Sequence, residues 1–147
     1  MAGAGAEPFI VVGADGSPLS AAALRWAVAH ARRTDARIEV VTGWEVPMTI
    51  FVTPTYTEDD YGRDAREALD QTVSALPDTD GVTINTHLVR LRPALALAQA
   101  AEGAELLVVG SHGRGELPGM HLGSVATYCV HHAPCPVLVY RESSRGR

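Results

Sequence analysis

Apolar residues along the chain fall into short uninterrupted runs, and between these runs they recur at helical spacing, the alternation expected of an α/β protein. Phe9-Ile10-Val11-Val12 and Leu106-Leu107-Val108-Val109 are continuous rather than alternating. That is the pattern of strands buried on both faces, and it marks strands one and four as the central pair. Ile38 to Gly43 reads as strand two, and Val137 to Val139 as the last strand. Val82 to Leu88 alternates apolar with polar residues, as a half-exposed edge strand should.

Four helical stretches lie between these strands. The first opens with Ser17 as cap and Pro18 at the first position, and places Leu24, Ala27, Val28 and Ala31 at helical spacing. The second covers Thr57 to Leu76, and the third runs from Pro93 to about Glu102. The fourth starts at Ser124, carries Val125, Tyr128, Cys129 and His132 on one face, and ends at Ala133 before Pro134. Trp44 to Tyr56, with Pro47 and Pro54, reads as a long connection. The expected fold is a single-domain, Rossmann-like α/β sheet of five parallel strands in the order 3-2-1-4-5, with helices on both faces and right-handed crossovers. The domain is expected over 9–140, with disordered tails at 1–8 and 141–147.

Composition narrows the functions this fold can serve. A chain of 147 residues with a hydrophobic fraction of 46% fills one ordinary domain and excludes disorder or a disulfide-held miniprotein. All 12 basic residues are arginine. The absence of lysine removes a Walker A phosphate loop, a kinase-type strand lysine and Schiff-base chemistry. A net charge of −5 gives no general attraction to nucleic acid or anionic membrane. Cys129 and Cys135 build neither a disulfide framework nor a four-thiolate zinc site, so reduced thiols and a cytoplasmic location are expected. Met1 to Pro8 lack the features of a signal peptide, and the uncharged stretch Leu117–Tyr140 holds too many prolines, histidines and glycines to span a bilayer.

In such sheets a ligand binds beyond the carboxyl ends of the strands, where the order of connection reverses. Two loops meet there: Gly13-Ala14-Asp15-Gly16 after strand one, and the glycine-rich stretch from Gly110 to Ser124 after strand four. Glycines admit backbone amides close to an anion, and the helix start at Ser124 adds a hydroxyl and favourable partial charge. On physics alone this is a lysine-free phosphate cradle or a loop whose glycines only make turns.

The spacing favours the cradle. Gly110, two residues, Gly113, nine residues, then Gly123-Ser124 resembles the nucleotide-binding signature of the universal stress protein family. The resemblance spans nearly all of residues 9–140, from Val-Val-Gly-Ala-Asp-Gly-Ser to His131-His132-Ala133-Pro134-Cys135-Pro136-Val137-Leu138-Val139. It implies a five-stranded α/β domain, usually dimeric, and ATP binding for members with the full glycine signature; the expected cofactor is ATP, with or without Mg. It further implies that Gly110 sits near ribose, that Asp15 accepts the ribose hydroxyls, and that Gly113, Gly123, Ser124 and the Val125 amide face the phosphates. The chemistry is plausible independently, since a carboxylate at a strand end is well placed to hold a diol. The small residues Ala14 and Gly43 leave room for a flat base. Two positions depart from the family. Leu91-Arg92-Pro93 replaces a Gly-x-Pro, which disfavours a left-handed turn at Leu91, and Gly43 replaces Ala or Val, which gives a looser base pocket.

Other residues read more plainly. Ser17 is a cap rather than a nucleophile, and Arg114 is either a phosphate partner or solvated. His112 and His121 read as surface histidines, and His131, His132 and Cys135 lack a second ligand cluster for a metal. Trp26 and Trp44 are packing residues, and Cys129 is core. Pro118 breaks a dinucleotide fingerprint, and no Gly-x-Ser-x-Gly elbow exists. The expected function is a nucleotide-dependent regulatory or stress-response protein that binds ATP. A slow ATPase or nucleotidyl-transfer enzyme is the alternative, for which the sequence supplies no catalytic residue or protein-held metal. A homodimer through strand residues 136–140 is expected, because that edge is apolar and ends the connection order.

Overall fold

Both continuous apolar runs become strands buried on two faces. The computed structural model describes residues 7–48, 55–114 and 121–142. Its elements are β1 (Phe9–Gly13), α1 (Pro18–Thr34), β2 (Arg37–Trp44), α2 (Glu58–Ser74), β3 (Ile84–Arg90), α3 (Pro93–Ala100), β4 (Leu106–Gly110), α4 (Ser124–His132) and β5 (Val137–Tyr140). They form a five-stranded, all-parallel sheet in the order β3-β2-β1-β4-β5. Most of the expected tails, and the glycine-rich residues 115–120, lie outside the described residues.

Alternate side chains of each central strand serve different layers. Ile10, Val12, Ile38, Val40 and Val108 pack with Ala23, Leu24, Ala27 and Val28 of α1 and Leu69 of α2. Val11, Val41, Leu107 and Val109 pack with Ala96 and Leu97 of α3 and Ala126 and Cys129 of α4. The result is one sheet between two helical layers. α1 starts as expected: Ser17 Oγ accepts from the Ser20 amide at 3.1 Å, Pro18 follows it, and Asp35 closes the helix in the left-handed region at φ 57°. α2 carries a capping box between Thr57 and Asp60.

Two expectations at the margins are corrected. β3 starts at Ile84 and reaches Arg90, because Val82 is held back in a turn by its amide bond to the Thr79 carbonyl at 3.1 Å. On α4 the buried residues are Ala126 and Cys129, whereas His132 is exposed. His132 lies in the last turn with its ring 4.4 Å from that of Tyr128, on the outside of the helix. The two thiols are free, and burial pushes Cys129 up to about 11, with Cys135 adding to the rise. Burial also raises the Cys135 thiol. Both therefore stay protonated near neutrality.

The α3–α4 side of β2 and β3 carries a polar network. Glu39, 14% exposed, accepts from Asn85 Nδ2 at 2.7 Å and Arg37 Nε at 3.2 Å, and pairs with His87 Nε2 at 2.7 Å. Burial pushes its carboxyl up, but the bonds from Asn85 and His87 and the charges of His87 and Arg37 outweigh this and hold it below the ordinary carboxylate range. A carboxyl lowered by folding contributes stability that is whole above its unfolded value, about 4.3, and is lost as pH falls through the lower folded value. Glu39→Gln should therefore lower stability by about 1 kcal/mol near neutrality. Urea unfolding should show the gap between the parent and Glu39→Gln narrowing as pH falls below the unfolded carboxyl value.

Candidate functional site

The sheet order reverses beside β1: the chain leaves β1 for β2 on one side, and later enters β4 on the other. The loops after β1 and β4 therefore diverge from neighbouring strand ends and leave a crevice between them. Gly13, Ala14, Asp15, Ser20, Gly110, His112, Gly113, Val125 and Ala126 line it, and Val41, Gly43, Pro93, Leu97 and Val109 complete its walls. The crevice is a small cleft of about 60 Å³ that opens to solvent.

Short hydrogen bonds fix the crevice floor. The Ala14 amide donates to the Val41 carbonyl at 3.0 Å, and Thr42 Oγ1 donates to the Ala14 carbonyl at 2.8 Å. These bonds hold the end of β1 to β2, so Ala14 and Asp15 leave the sheet in one direction. Gly16 then turns at φ 83°, in the region glycine favours.

Asp15 joins the two loops. Its Oδ1 accepts the Ser17 amide at 2.9 Å, and its Oδ2 accepts the Arg114 amide at 3.1 Å. The turn reading and the ligand reading of Asp15 are compatible, because each carboxylate oxygen has a second lone pair. Arg114 is exposed and lines an adjoining cleft with Asp15, Gly43 and Asp64. It has no ion pair among the described residues. Ser124 and Val125 border a further cleft with Arg92 and Tyr128. Gly123 is buried, and its amide donates to the Ser111 carbonyl at 2.7 Å. α4 has no side-chain cap, so its first-turn amides are available to a ligand.

Ala14, Asp15, Gly43, Gly110, Gly113 and Val125 thus share one crevice, Arg114 and Ser124 line adjoining clefts, and Gly123 is buried at the start of α4. Three positions bear on the expectations. The Cβ direction of Gly43 is closed by backbone, although Gly43 itself lines the crevice: a Cβ there would stand 2.6 Å from Pro93 Cα and 2.8 Å from the Leu91 carbonyl oxygen. Leu91 needs no left-handed turn, since its amide bonds the Val89 carbonyl at 2.9 Å and Asp35 is the only non-glycine described residue with positive φ. His112 is half-buried rather than fully on the surface: it is among the residues that line the crevice, and its Nδ1 is buried. Ser20 and the apolar walls went unread in the sequence. Their helical and strand periodicity already accounted for them, and no local motif marks a wall.

Among the described residues, no helix is long and apolar enough to cross a membrane, and no group of three His, Cys, Asp or Glu side chains is placed to hold a metal.

The sequence profile of the universal stress protein family matches residues 9–141. A universal stress protein of Mycobacterium tuberculosis is 35% identical over 135 residues, an overlap that covers 91% of this chain and 45% of that protein. The chain spans about half the length of the curated relatives it matches. Among solved structures, universal stress protein UspA from Lactobacillus plantarum has a TM-score of 0.77 and 24% identity, with 92% of this chain and 99% of that one covered. The universal stress protein from Archaeoglobus fulgidus in complex with dAMP has a TM-score of 0.67 and 23% identity, covering 92% and 98%. Both share the fold. By the match over residues 9–141, the chain belongs to the universal stress protein family.

Proposed function

We propose that this universal stress protein binds an adenine nucleotide, ATP with or without Mg, in the crevice between the β1 and β4 loops, and acts as a nucleotide-dependent regulator. The observation that carries the reading is the convergence of three ligand-suited groups at one switch point. These are the Asp15 carboxylate, the glycine backbone of the β4 loop and the uncapped first turn of α4. The dAMP held by the Archaeoglobus fulgidus protein supports the same class of ligand.

In this reading Ala14 and Gly43 border the base, while Asp15 and Gly110 serve the ribose. Gly113, Arg114, Gly123, Ser124 and Val125 surround the phosphates. The phosphates carry any Mg ion, because the described residues offer no three-ligand set. The protein works in the cytoplasm as a homodimer joined through β5. Incubation with ATP and Mg, followed by separation of retained nucleotide from product, tests binding against turnover. Retained, unhydrolysed ATP is the expected result, and rapid release of ADP would favour the enzyme.

Asp15→Ala should weaken ATP binding by about 1–3 kcal/mol, the scale of losing hydrogen bonds to a charged group. Calorimetry that finds the affinity of Asp15→Ala unchanged would remove the ribose assignment.

A further inference from the structure

Where the chain leaves β1, its main chain is fixed first by the sheet and then by a side chain. The Ala14 amide and carbonyl are both bonded to β2, through the Val41 carbonyl and Thr42 Oγ1. The next amide, that of Asp15, donates instead to Ser20 Oγ at 3.3 Å. Ser20 stands in the first turn of α1, where it is buried and lines the crevice. Its hydroxyl is itself aimed, because Ser20 Oγ donates to the Ser17 carbonyl at 3.0 Å while the Ser20 amide is held by Ser17 Oγ at 3.1 Å. The cap of α1 therefore decides where the Asp15 amide points.

We propose that Ser20 is the positioning residue for the Asp15 carboxylate, and that through it the site selects nucleotides whose sugar carries both hydroxyls. This rests on the adenine-nucleotide reading above. Ser20 fixes the main chain of Asp15, while the Ser17 amide on Oδ1 at 2.9 Å and the Arg114 amide on Oδ2 at 3.1 Å fix its side chain. Each oxygen keeps a lone pair for a hydroxyl donor. Two bonds to a diol require the carboxylate to stand in one plane, and an acceptor aimed before the ligand arrives loses no freedom on binding it. Without the Ser20 hydroxyl the Asp15 peptide is released on one side, and the carboxylate follows it.

Calorimetry with ATP and with dideoxy-ATP, which lacks both sugar hydroxyls but keeps the base and phosphates, tests the assignment. The parent should prefer ATP by about tenfold or more, the scale of hydrogen bonds to a charged acceptor. Ser20→Ala should cut that preference to about threefold or less by weakening ATP alone. Cysteine fills the same site with a weak acceptor, so Ser20→Cys should show the same loss in a packed fold. In the Asp15→Ala background, adding Ser20→Ala should change neither affinity, since a residue that acts through Asp15 then has nothing to position. Equal weakening of both ligands in the single variants, an unchanged preference, or a further loss in the double variant would overturn the positioning role. A parent that binds both ligands equally would overturn the sugar contact of Asp15, and this inference with it. A parent that binds neither would overturn the nucleotide reading itself.

Discussion

Gly43→Ala is expected to lower stability by about 3 kcal/mol, the upper end of the usual cost of adding a methyl group to a filled site. The added Cβ would stand 2.6 Å from Pro93 Cα and 2.8 Å from the Leu91 carbonyl oxygen. Both are backbone positions, and both are held: the Leu91 amide is bonded to Val89, and Pro93 opens α3 with its fixed φ. Neither can withdraw without moving the helix. Gly13→Ala provides the comparison. Its Cβ would approach Leu97 Cδ1 to 2.8 Å, a similar distance, but the obstacle is the end of a rotatable side chain. Gly13→Ala should therefore cost about 1 kcal/mol, since Leu97 can repack into the adjacent crevice. Denaturant unfolding of the two variants gives the answer directly, and equal costs would mean that the β3–α3 loop yields as readily as a leucine methyl group.

Val139→Lys should break the expected dimer. Among the described strands β5 pairs with β4 alone, at the edge of the sheet, and all four of its residues are only half-buried. An apolar edge strand of this kind is a template for pairing with a second copy, and a self-complementary edge closes at two subunits. A lysine placed in that contact would bury an unpaired charge at a cost on the order of 3 kcal/mol, more than a hundredfold in association. Sedimentation or light scattering at micromolar concentration should find the parent dimeric and Val139→Lys monomeric. Circular dichroism of the variant should still show a folded domain. A monomeric parent would end the edge-pairing idea.

Much of the architecture was legible in the sequence because its signals are local. Continuous β-branched runs at Ile10–Val12 and Leu107–Val109 specify strands with two buried faces, and Ser17-Pro18 specifies a helix start within two residues. The crevice was legible for a related reason. A switch point follows from strand order alone, and the glycines of the β4 loop advertise close backbone approach. What escaped the sequence is whatever depends on the orientation of an element rather than on its existence. The empty-looking side of Gly43 is occupied by the backbone of Leu91 and Pro93, more than forty residues away, and no periodicity in β2 foretells that. The buried Nδ1 of His112 is similar, since a histidine between serine and glycine carries no amphipathic pattern. His132 is exposed although its spacing predicts a buried face, because one position of rotation in a short helix exchanges a buried side chain for an exposed one.

The hydrogen bond from the Gly123 amide to the Ser111 carbonyl, 2.7 Å long, joins the two ends of the β4 loop to each other. Span 112–122 is thus closed at a seam just above the sheet, and the Arg114 amide bond to Asp15 ties its first residues to the crevice floor as well. Beyond Arg114, residues can be inserted or deleted while the seam keeps β4 and α4 in place. The entropy penalty for lengthening such a closed loop grows slowly, by about 0.6 kcal/mol for each doubling. Of all the segments bordering the crevice, this one can be rewritten at the smallest cost to the fold, so it is where related chains can most readily acquire different surfaces over the same floor.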